Sequence, residues 1–385
     1  RGVTNLTVVG NRITSGVSTA GRSLRGLYLA QTAGDFLVDK NHIYLNDTKT
    51  GGKIGIQLEN ISCLGSNPGY VTNNMIGCTG TGVADLPSGM KPCGIWIDSS
   101  SSIINVVYNT VRIECGTVAA SATFSENSYA FFTGATVNNI HVMNNIFSNF
   151  LKGYAYYVTE LTTVTLSNFN AYYAESEHPF YWKQVKASLA ELQAANSDDA
   201  NSVVDQPFFI SNEDLHLVMI NFVTLAQYTT EVTDDIDGTI RSQIPAPTIG
   251  AHEMSVCTHD LAVIEILSPT VPGDTNFRYP DKMPPNIEGD SVWVKARFFN
   301  NGRSLENGVQ WYAYLEGYES ITRTPNRNLG TFNPSQMKID SVLMPTELGI
   351  INRQKIHVVL TAGANECSPE DNDRVGDVFL APAYD

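Results

Sequence analysis

The clearest candidates for chemistry in this sequence are three basic side chains near its start. Arg12 and His42 each follow an asparagine in an equivalent sequence frame, and Lys40 lies two residues before His42, next to Asp39. A polysaccharide lyase needs a basic side chain that removes a proton and a group that balances the charge of the acidic sugar. The same side chains are ordinary on a strand surface, and that interpretation is favoured. Arg12, Lys40 and His42 are therefore weak catalytic candidates.

Aromatic side chains between residues 154 and 182 offer a different kind of site. Exposed rings can stack on sugars, and the candidates for such a binding surface are Tyr172, Tyr173, Tyr181 and Trp182. Large rings also bury much apolar area. We favour the second use, in which these rings fill the interior at the end of a repeat.

The histidines, cysteines and acidic residues match no metal-binding motif. The six cysteines include no CxxC pair, and no histidine has a partner at the spacing of a zinc motif. Asp234, Asp235 and Asp237 begin like a calcium loop, but the glutamate that such a loop requires is missing. A turn before Arg241 is the favoured interpretation. No metal or cofactor is expected, and calcium is the open alternative.

A repeated frame indicates the elements that position these residues. Val-x-x-Asn followed by x-Ile, or a close variant, recurs with asparagines 30, 33, 35 and 36 residues apart. A strand such as GLYL, GIQL or GIWI precedes most copies. Strands that repeat at this period predict a parallel β-helix, in which like residues stack on like residues. The recurring asparagines should then form an inward-facing structural ladder: Asn11, Asn41, Asn74, Asn109 and Asn145.

The repeat ends after Asn170. Ser188 and Glu191 form a capping-box pattern that predicts one short helix. The sequences LAELQ, DANSVVDQPFF, DLHL, DIDGTIR and PTIGAHE then follow. Together they resemble the closing segment of right-handed parallel β-helix repeat proteins of the pectin-lyase-like superfamily, common among secreted Bacteroidota proteins. The resemblance spans residues 1–254 and implies that fold.

Residues 257–385 have the character of a second domain. Six segments alternate in hydrophobicity, and Val292, Val294 and Phe298 fall on one face of the same strand. This pattern predicts an immunoglobulin-like β-sandwich, and the segments resemble bacterial cell-adhesion-related (CARDB-like) domains. Cys257 and Cys367 lie near the two ends of the domain. A disulfide between them and free thiols both remain open.

Composition narrows the function. The chain has 385 residues, only 16% of them charged, and a net charge of −15, which argues against nucleic-acid and anionic-lipid partners. It has no apolar run of about 18 residues that could insert into a membrane. We expect an extracellular or cell-surface, all-β, non-catalytic part of a longer chain. Its role would be adhesion, glycan binding or rigid support, with a polysaccharide or another surface protein as partner. The alternative is a polysaccharide lyase or glycoside hydrolase.

Overall fold

The computed structural model describes residues 5–15, 24–31, 35–46, 53–62, 67–81, 91–100, 102–117, 128–160, 163–223, 225–254, 257–269, 287–288, 291–346, 352–361, 366–367 and 369–380. The protein is mostly β-structure. It divides into two compact units. The first comprises Arg1–Leu217 and Phe222–Met254, and the second comprises Val218–Asn221 and Ser255–Asp385.

The first unit is built from short strands and one α-helix. In chain order these are β1 (Leu6–Val9), β2 (Arg12–Thr14), β3 (Leu24–Ala30), β4 (Phe36–Asp39), β5 (His42–Asn46), β6 (Lys53–Ile61), β7 (Gly69–Thr72), β8 (Met75–Thr81), β9 (Cys93–Ser100), β10 (Ile104–Val107), β11 (Thr110–Thr117), β12 (Tyr129–Thr133), β13 (Ile140–Met143), β14 (Ile146–Asn149), β15 (Tyr154–Val158), β16 (Val164–Asn168), β17 (Ala171–Ala174), β18 (Phe180–Trp182), β19 (Gln184–Lys186), α1 (Leu189–Asn196) and β20 (Val203–Val204). Of the 3₁₀ helix that follows at Ile220–Phe222, only Phe222 belongs to this unit.

These strands form three sheets in which each strand pairs with the strand three positions later. The first sheet has the order β1-β4-β7-β10-β13-β16, and the second has the order β2-β5-β8-β11-β14-β17-β20. The third runs β3-β6-β9-β12-β15-β18 and ends with β19, which pairs antiparallel to β18. All other pairs in these sheets are parallel. Three long parallel sheets with this order fit a solenoid, and one passage of the chain through all three is called a coil below.

Stacked side chains fill the space between the three sheets. Val38 lies opposite Val71 in the first sheet, and Ile43 lies opposite Ile76 in the second; all four are buried. Gly55 makes this packing possible, because a Cβ at this position would lie 2.2 Å from Cγ2 of Ile76. The third sheet can therefore approach the second closely only where it carries glycine or a very small residue.

The recurring asparagines form a continuous hydrogen-bonded ladder. Each side-chain Nδ2 donates to Oδ1 of the asparagine in the next coil, at 2.9, 2.9, 2.8, 3.0 and 3.0 Å along the stack. Each Oδ1 also accepts from a backbone N–H of the preceding coil. The ladder satisfies polar groups at the turn between the first two sheets of every coil. Its members are Asn11, Asn41, Asn74, Asn109, Asn145 and one more residue, Asn170.

Helix α1 begins as the sequence predicts. The Ser188 Oγ accepts from the Glu191 N–H at 3.3 Å, and the Glu191 carboxylate accepts from the backbone N–H of Ala187 at 2.9 Å. These two bonds satisfy donors that a helix start leaves open. Leu192 is the buried residue of the helix and belongs to the core of the three sheets.

The closing segment, residues 205–217, 222–223 and 225–254, packs along the outside of the coils next to the asparagine turns. It contributes apolar side chains to a second core cluster outside the three sheets. That cluster combines residues of the coils with residues of the closing segment. From the coils come Met75, Val107, Tyr108, Ile146 and Ala171, and from the closing segment come Phe209, Leu215, Leu217, Phe222, Ala226, Val232, Ile236, Ile249 and Ala251. The closing segment is thus held by burial as well as by polar contacts.

The second unit contains antiparallel sheets that fit a sandwich. Its elements are β21 (Leu261–Ser268), β22 (Ile287–Glu288), β23 (Ser291–Asn300), β24 (Glu306–Leu315), α2 (Glu319–Thr322), β25 (Arg327–Phe332), β26 (Met337–Pro345), β27 (Asn352–Thr361), a 3₁₀ helix (Pro369–Asn372) and β28 (Asp373–Leu380). One sheet joins β21, β22 and β26 to β23, and the other has the order β25-β24-β27-β28.

Strand β23 has the two faces that the alternation predicts. Val292, Val294 and Phe298 are fully buried, whereas Trp293 is 52% exposed. Cys257 and Cys367 form a disulfide, with their Cα atoms 6.2 Å apart, so the disulfide alternative is the correct one for this pair. Cys78 and Cys93 are buried free thiols. Within the described ranges, no helix has the length and hydrophobicity needed to cross a membrane.

Candidate functional sites

Side chains directly before the ladder asparagines attach the closing segment to the coils. Lys40, Asn73, Tyr108 and Asn144 all have positive φ, which turns the chain at this point. The Lys40 ammonium lies 2.5 Å from the Asp234 carboxylate, and the Tyr108 hydroxyl donates to the Gln227 carbonyl at 2.7 Å. The Asn144 side chain makes two bonds to Gln227 as well. This column is therefore a docking edge for the closing segment.

The residues directly after the ladder asparagines form a second column with the same role. Arg12 and His42 stack in register in adjacent strands, as the sequence frame predicts. Arg12 lies 2.5 Å from Glu213 of the closing segment, and the Thr110 hydroxyl accepts from the backbone N–H of Ala251 at 2.9 Å. Among the catalytic candidates, Arg12 and Lys40 are thus paired with acidic side chains, an arrangement that attaches the segment rather than leaving a free base.

Arg241 anchors the closing segment from inside. Its side chain is 0% exposed and lies 3.8 Å from the centre of the Tyr108 ring. The guanidinium bonds to the Glu253 carboxylate at 2.8 Å, to the Asn73 side-chain oxygen at 3.0 Å and to the Gly250 carbonyl at 2.9 Å. A buried charge requires such partners. Arg241 is accordingly a structural residue.

The third catalytic candidate, His42, lies beside a cluster of histidines and aspartates. Its ring centre is 6.2 Å from that of His216, which in turn is 4.7 Å from that of His252. His216 Nδ1 bonds to the Asp214 carboxylate, and its Nε2 lies 2.8 Å from Oδ2 of Asp237. These five residues, His42, Asp214, His216, Asp237 and His252, are called the histidine cluster.

Charge is distributed unevenly over this cluster. Burial lowers the pKa of His216, but its bonds to Asp214 and Asp237 outweigh burial and raise that pKa to about 9. Burial, with the nearby charge of His216, lowers the pKa of His252 to about 4 and also lowers the pKa of His42. The cluster therefore holds one charged imidazole between two carboxylates, with two neutral imidazoles beside it.

A cleft with a cavity volume of about 280 Å³ opens next to the cluster. Arg12, His42, Glu213, Asp214 and His216 line it. The cleft joins two of the catalytic candidates to acidic groups that the closing segment supplies. A cleft of this volume and with these polar side chains could hold a small polar molecule.

The three aspartates considered for calcium point to separate partners. Asp234 pairs with Lys40, and Asp237 with His216. Asp235 accepts backbone N–H bonds from Thr239 at 2.7 Å and from Asp237 at 2.9 Å, which closes a turn before Arg241. The turn interpretation agrees with this geometry, in which each of the three carboxylates has different partners.

The proposed aromatic binding residues fall into two groups. Tyr172 and Trp182 are buried in the core between the sheets, so neither ring offers a face to a ligand, and their assignment to a binding surface is corrected. Tyr173 is partly buried and packs on Phe150 at 4.9 Å. Tyr181 points outward from the third sheet. Tyr172 and Trp182 are core residues because their positions on the strands face inward.

Tyr181 belongs to a row of outward aromatic rings, here called the aromatic stripe. Trp96, Phe132, Tyr157 and Tyr181 occupy one register position on β9, β12, β15 and β18. Ring centres of successive members lie 4.8, 5.2 and 4.1 Å apart. All four rings are partly exposed. Burial, and to a smaller extent the neighbouring Tyr181, raises the pKa of Tyr157 to about 12. The Tyr157 hydroxyl is therefore neutral at physiological pH.

A second row of aromatic side chains supports the stripe. Tyr129 and Tyr154 are buried and stack on each other with ring centres 6.0 Å apart. Both meet the Tyr157 ring edge-on at 5.0 Å. Edge-to-face packing of this kind fixes ring orientation. The stripe is therefore a preorganised, uncharged surface.

Two carboxylates flank the same face of the third sheet. Glu59 and Asp98 are register partners on β6 and β9, two positions after the column that contains Trp96. Glu59 accepts a bond from the Tyr28 hydroxyl at 2.6 Å. Sequence reasoning missed this pair. The frames GIQLE and GIWID contain the signal, since aligning them on their glycines places Glu59 and Asp98 at the same fifth position, two residues after Gln57 and Trp96.

Comparisons with known proteins provide no assignment for either candidate site. No protein-family model matches the chain, and no curated protein matches it at a significant level of similarity.

Proposed function

We propose that this chain is a non-catalytic glycan-binding module of a secreted or cell-surface protein. The observation that carries the proposal is the aromatic stripe, in which four partly exposed rings follow one another on successive coils. Sugar rings present apolar C–H faces that pack on aromatic side chains, and the buried tyrosines behind the stripe keep its rings in place. A polysaccharide is the proposed partner.

The spacing of the stripe favours a linear glycan that lies across the strands. Adjacent strands in a sheet are separated by about 4.8 Å, and the ring centres follow this spacing. An extended chain of sugars along this direction would contact several rings at once. Each contact is weak, but several of them act together. Because the rings are already held in place, the protein surface loses little conformational entropy when the glycan binds.

Charge favours a neutral glycan over a polyanionic one. The chain carries a net charge of −15, and Glu59 and Asp98 lie near the stripe. Acidic polysaccharides would be repelled at long range by this field. We therefore expect neutral polysaccharides to bind best.

The sheet topology and the disulfide also support a family for each unit and an extracellular location for the protein. We propose that the first unit is a right-handed parallel β-helix of the pectin-lyase-like superfamily and that the second is an immunoglobulin-like, CARDB-like domain, as in Bacteroidota surface proteins. Parallel pairing between successive coils supports the first assignment, and two antiparallel sheets support the second. The disulfide between Cys257 and Cys367 supports an oxidising, extracellular location.

A glycoside hydrolase is the second candidate, and one observation favours it. Glu59 and Asp98 lie on adjacent strands beside the stripe, and glycosidases use two carboxyl groups about 5–10 Å apart. The lyase alternative is less well supported, because Lys40 is paired with Asp234 and Arg12 with Glu213.

Affinity electrophoresis through gels that contain soluble neutral or uronic-acid polysaccharides tests the proposal. We expect a neutral polysaccharide to retard the wild-type protein, and we expect Trp96→Ala and Tyr157→Ala to abolish the retardation. Trp293→Ala removes an exposed ring from the second unit and serves as the matched control. If no polysaccharide retards the protein, or if the stripe variants behave like the control, the proposal is wrong.

A reducing-end assay on the same polysaccharides separates the two candidates. Release of new reducing ends, lost in Glu59→Gln and Asp98→Asn, would establish the hydrolase. Binding without release of new ends supports the non-catalytic module.

A further inference from the structure

We propose that His216, Asp237 and His252 form a binding site for a divalent transition-metal ion such as zinc. The three residues come from separate parts of the closing segment, and the fold brings them together beside β5. The sequence does not predict a metal site here, because the three residues lie 21 and 15 residues apart along the chain, outside the spacing of a short zinc motif.

The geometry of the three side chains is close to that of a metal site. One ligand atom from each lies within 4.8 Å of the other two. Nε2 of His216 and Oδ2 of Asp237 are 2.8 Å apart, and the rings of His216 and His252 meet at 76°. Ligands of tetrahedral zinc lie about 2.0–2.2 Å from the ion and hence roughly 3.3–3.5 Å from one another. Small side-chain rotations, for which exposed Asp237 has room, would produce this arrangement.

The chemistry of the ligands indicates the class of ion. Two imidazoles and one carboxylate suit zinc, copper, nickel or iron, whereas calcium and magnesium prefer sites built from oxygen atoms alone. Histidine binds a metal through an unprotonated ring nitrogen, so the affinity of the site should rise with pH. Three protein ligands leave a further position for water.

Two neighbouring features fit this role. Asp214 holds Nδ1 of His216, which leaves Nε2 to face Asp237. A carboxylate on the far nitrogen is the usual orienting partner of a metal-bound histidine. His252 Nδ1 is buried and has no hydrogen-bond partner among the described residues, so this imidazole is not already held by another polar contact through that nitrogen.

Calorimetric titration of the full chain tests the site after treatment with a chelator and dialysis. We expect one Zn²⁺ per chain to bind, Co²⁺ to give the visible absorbance of a tetrahedral or five-coordinate site, and Ca²⁺ not to bind. His252→Ala and Asp237→Asn should each weaken Zn²⁺ binding at least about 10-fold, and Asp214→Asn should weaken it about 10- to 100-fold.

His178→Ala removes an exposed histidine outside the cluster and serves as the control, with circular dichroism to verify that each variant is folded. The proposal is overturned if chelator-treated protein takes up no stoichiometric Zn²⁺. It is equally overturned if folded His252→Ala and Asp237→Asn bind Zn²⁺ as well as the control does, because the ion would then be adventitious. Neither result would affect the glycan assays, since the stripe lies on another sheet.

Discussion

Replacement of Arg241 by methionine should destabilise the first unit strongly. The arginine side chain is 0% exposed and pairs with Glu253 at 2.8 Å, while the Asn73 side chain and the Gly250 carbonyl accept hydrogen bonds from its Nη2. Methionine has a similar length but no charge, so the Glu253 carboxylate, whose side chain is only 14% exposed, would lose its cationic partner. Breaking a buried ion pair in this way costs about 3–5 kcal/mol. Urea unfolding followed by circular dichroism measures this loss.

Arg12→Met is the matched comparison for this prediction. Arg12 also pairs with an acidic residue of the closing segment, but it is 67% exposed and its partner Glu213 is 44% exposed. An exposed pair of this kind contributes about 0–1 kcal/mol. The double variant Arg241→Met with Glu253→Gln should recover part of the loss, because it removes the uncompensated charge. Equal effects of Arg241→Met and Arg12→Met would refute the anchoring role of Arg241.

Three further predictions concern the ladder, the disulfide and one carboxylate. Asn109→Ala removes the one Oδ1 atom that accepts two hydrogen bonds from Asn74, and it should cost about 2–4 kcal/mol in urea unfolding, clearly more than Asn11→Ala at the exposed end of the ladder. Replacing Cys257 and Cys367 by serine opens a loop with a sequence separation of 110 and should destabilise the second unit by roughly 2–5 kcal/mol; an unchanged calorimetric melting profile would contradict this. Burial raises the pKa of Asp340, but bonds from Arg327 and Trp311 outweigh burial and lower it. Because the folded-state pKa is lowered, this carboxylate stabilises the fold above its ordinary pKa of about 3.9 and loses that effect as pH falls through the folded value. The melting temperature of Asp340→Asn should therefore be below that of the wild type at pH 7, and the gap should narrow as the pH falls below the ordinary range of a carboxyl group.

Local patterns in the sequence predict much of the fold. The Asn frame identifies the ladder because one residue type must occupy the same turn in every coil, and Asn11 to Asn145 do so. The alternation in the first part of β23 predicts that Val292 and Val294 face the core while Trp293 between them faces solvent. Both features depend on residues that are close in sequence or repeated at one period, so a pattern can reveal them.

The candidate sites depend on contacts that no local pattern contains. Arg12 meets Glu213, which lies 201 residues further along the chain, only because the closing segment folds back over the coils. His216 and His252 converge for the same reason. Tyr172 and Tyr173 are identical in type, and only the direction of β17 decides that the first is buried and the second partly exposed.

The dependence of affinity on glycan length tests the central claim most directly. Titration of the wild-type protein with neutral oligosaccharides of increasing length, drawn from a polysaccharide that binds, would be followed by calorimetry. An extended surface of successive rings predicts that affinity rises with each added sugar until the stripe is covered, and that Tyr157→Ala reduces this gain in the middle of the series. Affinity that is independent of length, or a length dependence that Tyr157→Ala leaves unchanged, would contradict binding along the stripe.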